Sequence, residues 1–265
     1  MKKDNNTIKE LIKLIKKLRS PDGCPWDRKQ KKEDIGKYIL EEAYEVFDSL
    51  EEKNPQALKE ELGDLLFQIL FLSEISKDAG LFSLEDVLEE IRKKMIRRHP
   101  HVFGGKKVNS MQEVKENWQQ IKKKELDNKN GQQDIFANVP RSLPALKRAQ
   151  KITAIAATYG FDWSKISEVL VKFKEELKEF DLAVKKNDRN KTEEELGDIL
   201  FTLVNISRFV QIDAETALLK TTNKFLRRFS YITGQLSVRG TSLEKTDLVE
   251  MDALWNEAKI RDNDK

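Results

Sequence analysis

The chain has 265 residues, 38% hydrophobic and 36% charged, with 49 Lys and Arg against 46 Asp and Glu for a net charge of +3. Only 11 Gly and 6 Pro punctuate it, too few for the turns of a sandwich, a barrel or a doubly wound sheet, so the composition asks for helix. The charge balance argues against nucleic acid as a partner, which requires a strongly basic face. No apolar run reaches the ~18 residues of a membrane span, and at ~150 residues per domain the length suits two domains.

In chain order, apolar residues at three- and four-residue spacing predict helices over 7–19, 35–52, 55–77, 84–98 and 111–126. A second series follows over 144–158, 166–185, 191–210, 214–229 and 248–260. Asn54-Pro55 and Ser83 read as helix starts. Between the series, DNKNGQQDIFANVPRSLP is rich in Asn, Gln, Gly and Pro and lacks helical period, which reads as a linker. The division is then an N-terminal helical domain over 1–127, a linker over 128–143 and a C-terminal helical domain over 144–265. The lone Cys24 and a first segment without a secretory apolar stretch point to the cytoplasm.

The two series are copies. Glu41-Glu42-Ala43-Tyr44-Glu45 and Glu60-Glu61-Leu62-Gly63-Asp64 return as Glu175-Glu176-Leu177-Lys178-Glu179 and Glu194-Glu195-Leu196-Gly197-Asp198, both at an offset of 134. Lys94-Met95-Ile96-Arg97-Arg98 returns as Lys224-Phe225-Leu226-Arg227-Arg228. Gly23-Cys24-Pro25-Trp26 parallels Gly160-Phe161-Asp162-Trp163, and Trp118 parallels Trp255. Landmarks repeated in one order imply a duplicated helical bundle, an all-α tandem repeat.

Chemistry gathers on the acidic pairs. Glu176 and Glu179 stand at i, i+3, as do Glu195 and Asp198. That spacing places each pair on one helix face, about 60° apart around the axis. The short NDRN connection makes the two helices an antiparallel hairpin, so four carboxylates can converge. Such a cluster repels itself unless a cation compensates, and all-oxygen donors suit Mg²⁺ or Mn²⁺. The first copy offers a possible second site in Glu42, Glu45, Glu61 and Asp64. Gly197, inside a helix, suggests close helix approach. A di-iron bundle needs Glu-x-x-His, and the only histidines, His99 and His101, do not follow a Glu at that distance. His99-Pro100-His101 reads as a structural turn.

Lys172 precedes Glu176 by four residues and Lys191 precedes Glu195 by four. Two readings stand: intrahelical ion pairs, in the poorer Lys-before-Glu orientation, or phosphate ligands beside a metal. Lys224, Arg227 and Arg228 extend the phosphate reading, with arginine able to bind bidentately. Trp255 is either a base-stacking platform or a core or interface aromatic. The first copy has Tyr38 and Ala57 where the second has Lys172 and Lys191, so it is expected to hold triphosphate less well. No GxxxxGK[ST] occurs, which argues against a P-loop enzyme.

GCPWD, EEAYEV, EELGDLLFQ, RRHPHVF, VPRSLPAL, GFDW, EEELGDILF and KFLRRF together resemble the MazG family of nucleoside triphosphate pyrophosphohydrolases, in its two-domain bacterial form, over nearly the whole chain. The resemblance implies an all-α dimer whose catalytic bundle is completed between subunits. It implies Mg²⁺-dependent hydrolysis of a nucleoside triphosphate to monophosphate and pyrophosphate, carried mainly by the C-terminal domain. By motif, Glu176, Glu179, Glu195 and Asp198 would hold the metal. Lys172, Glu175, Lys191, Glu194, Lys224, Arg227, Arg228 and Trp255 would line the nucleotide site, and Glu194, or one of the metal-holding carboxylates, could take a proton from water. Nucleotide-pool cleaning or control of a stress nucleotide is the role such an activity would serve. The rival reading is a nucleotide-sensing or interaction module that binds without turnover.

Overall fold

The computed structural model describes residues 7–51, 54–105, 107–114, 117–118, 120–121, 125 and 134–263. The chain separates into two compact units, Met1–Gln119 and Gln120–Lys265. Among the described residues there is no strand.

The first unit contains α1 (Thr7–Arg19), α2 (Pro25–Lys29), α3 (Lys32–Glu51), α4 (Pro55–Asp78), α5 (Leu84–Arg98) and α6 (Pro100–Phe103). Beyond them, residues 111–114, 117–118, 120–121 and 125 are helical; the rest of the helix expected over 111–126 lies outside the described residues, as do 128–133 of the expected linker. The second unit contains α7 (Ala145–Thr158), α8 (Ile166–Lys185), α9 (Arg189–Phe209), α10 (Ala214–Val238), a 3₁₀ turn (Leu243–Lys245) and α11 (Leu248–Asn263). The most extensive helix pairings are α3 with α4 and α8 with α9, the two hairpins that carry the acidic pairs.

Short polar residues start α4, α5, α9 and α10 by satisfying backbone N–H groups that have no partner inside the helix. The Asn54 side chain accepts from Gln56 and Ala57, with Pro55 at the first helical position. Ser83 and Asp86 form a reciprocal capping box. Asp188 accepts from Lys191, and Asp213 from Thr216.

Each unit has its own apolar core. Ile15, Ile35, Leu70 and Phe71 pack together in the first, joined by Tyr38 and Phe67. In the second, Ile232, Leu236 and Leu254 form one cluster, flanked by Phe229 and Trp255. That cluster explains why α10 runs nine residues past the expected end at Phe229. Ile232 and Leu236 are 2% and 1% exposed and continue its apolar stripe across Gly234. The short helix α2 was not anticipated; Pro25 sits in its first turn, where its fixed φ and missing N–H are tolerated.

One structural expectation is overturned. Gly197 does not mark close helix approach within its unit: a Cβ placed on it meets no atom within 4 Å, and the same holds for Gly63 in the first copy.

Candidate metal and nucleotide site

On α8, Glu176 and Glu179 project from one face; on α9, Glu195 faces them. Oxygens of these three carboxylates all lie within 4.8 Å of one another. Glu176 is 4% exposed and Glu195 1%, while Glu179 is exposed. Glu176 Oε2 and Glu195 Oε2 are buried with no hydrogen-bond partner in the protein. An ionised carboxylate in that condition is costly without a compensating ion. Asp198, exposed one turn further along α9, is not among the three that close to this distance.

The first unit repeats the arrangement with Glu42 and Glu45 on α3 and Glu61 on α4. It is less buried: Glu42 and Glu61 are half-buried and Glu45 exposed. Partial desolvation pushes the Glu42 carboxyl above its ordinary value of 4.5, with Gln68 opposing through a hydrogen bond and Glu45 and Asp64 adding repulsion. Desolvation likewise raises Glu61, reinforced by its hydrogen bond and repulsion with Glu45 and by Asp64. Asp64 therefore acts on the cluster electrostatically although it is outside the closed triple.

Lys172 and Lys191 make the ion pairs that their spacing allows. Lys172 Nζ lies 2.8 Å from Glu175 Oε1 and 2.7 Å from Glu176 Oε1. Lys191 Nζ lies 3.1 Å from Glu194 Oε2 and 2.8 Å from Glu195 Oε1. Hydrogen bonds to Glu175 and then Glu176 hold the Lys172 ammonium well above the usual lysine range. Those to Glu195 and then Glu194 do the same for Lys191.

The remaining nucleotide candidates sit on α10 and α11. Lys224 and Arg227 are exposed. Arg228 pairs with Asp262 at 2.7 Å and lies 5.6 Å from the Trp255 ring centroid, which packs 5.3 Å from Phe225. Trp255 is thus a half-buried aromatic on the edge of the core, with a cation stacked on it. The first unit repeats this too: Arg98 lies 5.4 Å from the Trp118 ring. His99 packs edge-on against that ring and its Nδ1 is 2.7 Å from the Met95 carbonyl oxygen, so His99 is the junction between α5 and α6, and Pro100 and His101 open α6. Among the described residues the histidines join no metal-ligand cluster.

One feature had no sequence signal beyond its place in the repeat. Gly160-Phe161-Asp162-Trp163 forms a wall of an apolar cavity of about 710 Å³, with Phe201, Asn205 and Arg208 of α9 opposite. Arg208 donates to Asp162 at 2.8 Å, which holds that carboxyl below its ordinary range. The partners are 46 residues apart, a separation that local spacing does not reveal.

The family model for the "MazG nucleotide pyrophosphohydrolase domain" matches residues 30–103 and 165–232, spanning both acidic hairpins. The chain is 40% identical over 98% of its length to the nucleoside triphosphate pyrophosphohydrolase/pyrophosphatase MazG of Thermotoga maritima, covering 98% of that protein. It is also 40% identical over 98% of its length to the nucleoside triphosphate pyrophosphohydrolase of Escherichia coli, covering 99% of it. A crystal structure of a MazG-related protein from Thermotoga maritima is 27% identical, with a TM-score of 0.38 over 43% of this chain and 98% of that one. Matched twice by the domain model and nearly end to end by these relatives, the chain belongs to the MazG nucleotide pyrophosphohydrolase family.

Proposed function

We propose that the chain hydrolyses nucleoside triphosphates to nucleoside monophosphate and pyrophosphate, with Mg²⁺ held by Glu176, Glu179, Glu195 and Asp198 and Mn²⁺ able to replace it. The observation that carries this reading is the pair of buried carboxylates, Glu176 and Glu195, whose Oε2 atoms have no partner in the protein. Buried polar atoms are normally satisfied, and a set of carboxylates without His or Cys fits a hard divalent cation. The relatives named above as nucleoside triphosphate pyrophosphohydrolases support the same substrate class.

When bound, the ion supplies Lewis-acid polarisation of the phosphate and acidifies water. The protein does the rest. Lys172 and Lys191 present ammonium groups beside the carboxylates, and Lys224, Arg227 and Arg228 add positive charge for the triphosphate. Glu194 accepts the proton of the attacking water. The water oxygen bonds to the α-phosphorus, the bond from that phosphorus to its bridging oxygen breaks, and pyrophosphate leaves with its charge balanced by the cations. Trp255 stacks on the base, and Glu175 lines the site. Stacking tolerates any nucleobase, which supports broad base acceptance and a role in cleaning the nucleotide pool or controlling a stress nucleotide.

The active form in this reading is a homodimer in the cytoplasm. Leu177, Leu196, Leu200 and Leu203 of α8 and α9 are 40–47% exposed, an apolar surface that a second copy would cover. No described helix is long and apolar enough to cross a membrane.

Product analysis over a panel of NTPs and dNTPs, with Mg²⁺ and with Mn²⁺, tests the proposal. Monophosphate and pyrophosphate are expected. Diphosphate and phosphate would place it among other hydrolases, and nucleotide binding without product would make it a sensing module.

A further inference from the structure

Besides their burial, the two carboxylate triples differ in the cations beside them. In the second unit, each buried carboxylate already has a cation on it: Lys172 on Glu176 at 2.7 Å and Lys191 on Glu195 at 2.8 Å. Each lysine also holds the preceding, exposed glutamate, Glu175 or Glu194. At the equivalent positions, 134 residues earlier, the first unit has Tyr38 and Ala57, yet Glu42, Glu45 and Glu61 still close to within 4.8 Å. The lysines are therefore not needed to assemble such a triple.

We infer that Lys172 and Lys191 are built-in surrogate cations, which neutralise the buried carboxylates of the metal-free enzyme, compete with the divalent ion for them, and transfer to the triphosphate when it binds. This rests on reading the second triple as the metal site, and goes beyond a phosphate-binding role for the two lysines.

Three observations support it. First, both lysines run Lys-before-Glu along their helices, the weaker orientation for simple helix stabilisation. Second, their side chains remain 39% and 49% exposed while Glu176 and Glu195 are 5% and 1% exposed at the side chain. The carboxylates are fixed in the interior, while each ammonium sits on a flexible four-carbon stem with solvent to move into. Third, each ammonium is shared between an inner and an outer carboxylate, so leaving Glu176 or Glu195 does not strand it without a partner. A phosphate that draws off both lysines uncovers two charges for the metal. Nucleotide and metal then bind cooperatively, each raising the affinity for the other by the same factor.

The test is Mn²⁺ titration of the nucleotide-free full chain, followed by electron paramagnetic resonance, in a Glu61→Gln background that disables the first triple. Lys172→Met and Lys191→Met should each tighten Mn²⁺ binding by about tenfold, the order expected for removing a unit charge a few ångströms from the ion. A lysine that does not rest on the buried carboxylate in the nucleotide-free chain, and serves only to bind phosphate or to stabilise its helix, would leave this affinity unchanged or weaken it, and either result overturns the inference. Lys191→Arg keeps the charge and is the variant to read if a methionine variant does not fold. It should bind Mn²⁺ no more tightly than the background; a tenfold gain there sinks the idea. Absence of Mn²⁺ binding in the background and every variant would instead overturn the metal reading itself, and the inference with it.

Discussion

Glu176 on α8 and Glu195 on α9 bring carboxylate oxygens within 4.8 Å of one another although both side chains are at least 95% buried. Desolvation and mutual repulsion both oppose it, and Lys172 and Lys191, at 2.7 Å and 2.8 Å, offset part of that cost. The Oε2 atoms of both glutamates have no partner in the protein and remain open to a further cation. Glu195→Gln keeps the shape and removes one charge. Pyrophosphate release should fall at least ~100-fold, the order seen when a precisely placed electrostatic group is lost, while far-ultraviolet circular dichroism is unchanged. Undiminished release would remove Glu195 from the site.

The same substitution in the first copy is expected to do little. Glu61 closes a comparable triple with Glu42 and Glu45, but Tyr38 and Ala57 leave it without the two flanking lysines. Phosphate binding needs those charges. Glu61→Gln should therefore change kcat/KM for the triphosphate by less than about twofold, a difference of under ~0.5 kcal/mol in transition-state stabilisation. A loss approaching that of Glu195→Gln would show that the first triple also turns over substrate.

Three of the four carboxylates expected in each acidic cluster come together, Asp64 and Asp198 staying outside the closed triples, and those three were legible because their signal is local and doubled. Pairs at i, i+3 on two helices joined by a short turn must share a face, and recurrence of the set at one offset separates it from the surface charge of a highly charged chain. What escaped was either non-local or carried by a residue that usually means something else. Gly234 hid the last nine residues of α10, because glycine suggests a helix end; the burial of Ile232 and Leu236 overrides that preference. Gly197 invited a close-packing explanation that the open space around it does not support. The Arg208–Asp162 pair depends on a chain reversal, so neither residue is marked by its neighbours.

That pair gives a prediction for stability against pH. Asp162 accepts from Arg208, which holds its carboxyl below the ordinary value of 3.8. A carboxyl depressed in the folded state contributes stability above its unfolded value, and that contribution is lost as pH falls through the folded one. Asp162→Asn should destabilise the second unit at pH 7 by about 2 kcal/mol, since it also leaves the guanidinium without its charged partner. Urea denaturation at a series of pH values should give a constant difference from wild type down to about pH 5 and a shrinking one below 3.8. A difference that does not depend on pH would assign the loss to packing at the cavity wall.

A second stability prediction comes from comparing the copies at the end of a helix. After α4, Gly80 adopts φ 67° and its N–H donates to Lys77, while the next N–H, of Leu81, reaches back to Ser76. After α9, Gln211 adopts φ 58° and donates to Arg208, while Ile212 reaches back to Ser207. The closures match, but only the first has the residue suited to a left-handed backbone. A side chain there costs ~1–2 kcal/mol, partly offset by the greater freedom glycine gives the unfolded chain, up to ~1 kcal/mol. Gln211→Gly should therefore stabilise the second unit by about 0.5–1 kcal/mol, seen as a higher urea midpoint with an unchanged slope. Gly80→Gln should lower the stability of the first unit by a similar amount. If Gln211→Gly lowers the midpoint instead, the glutamine side chain makes contacts that outweigh its backbone strain.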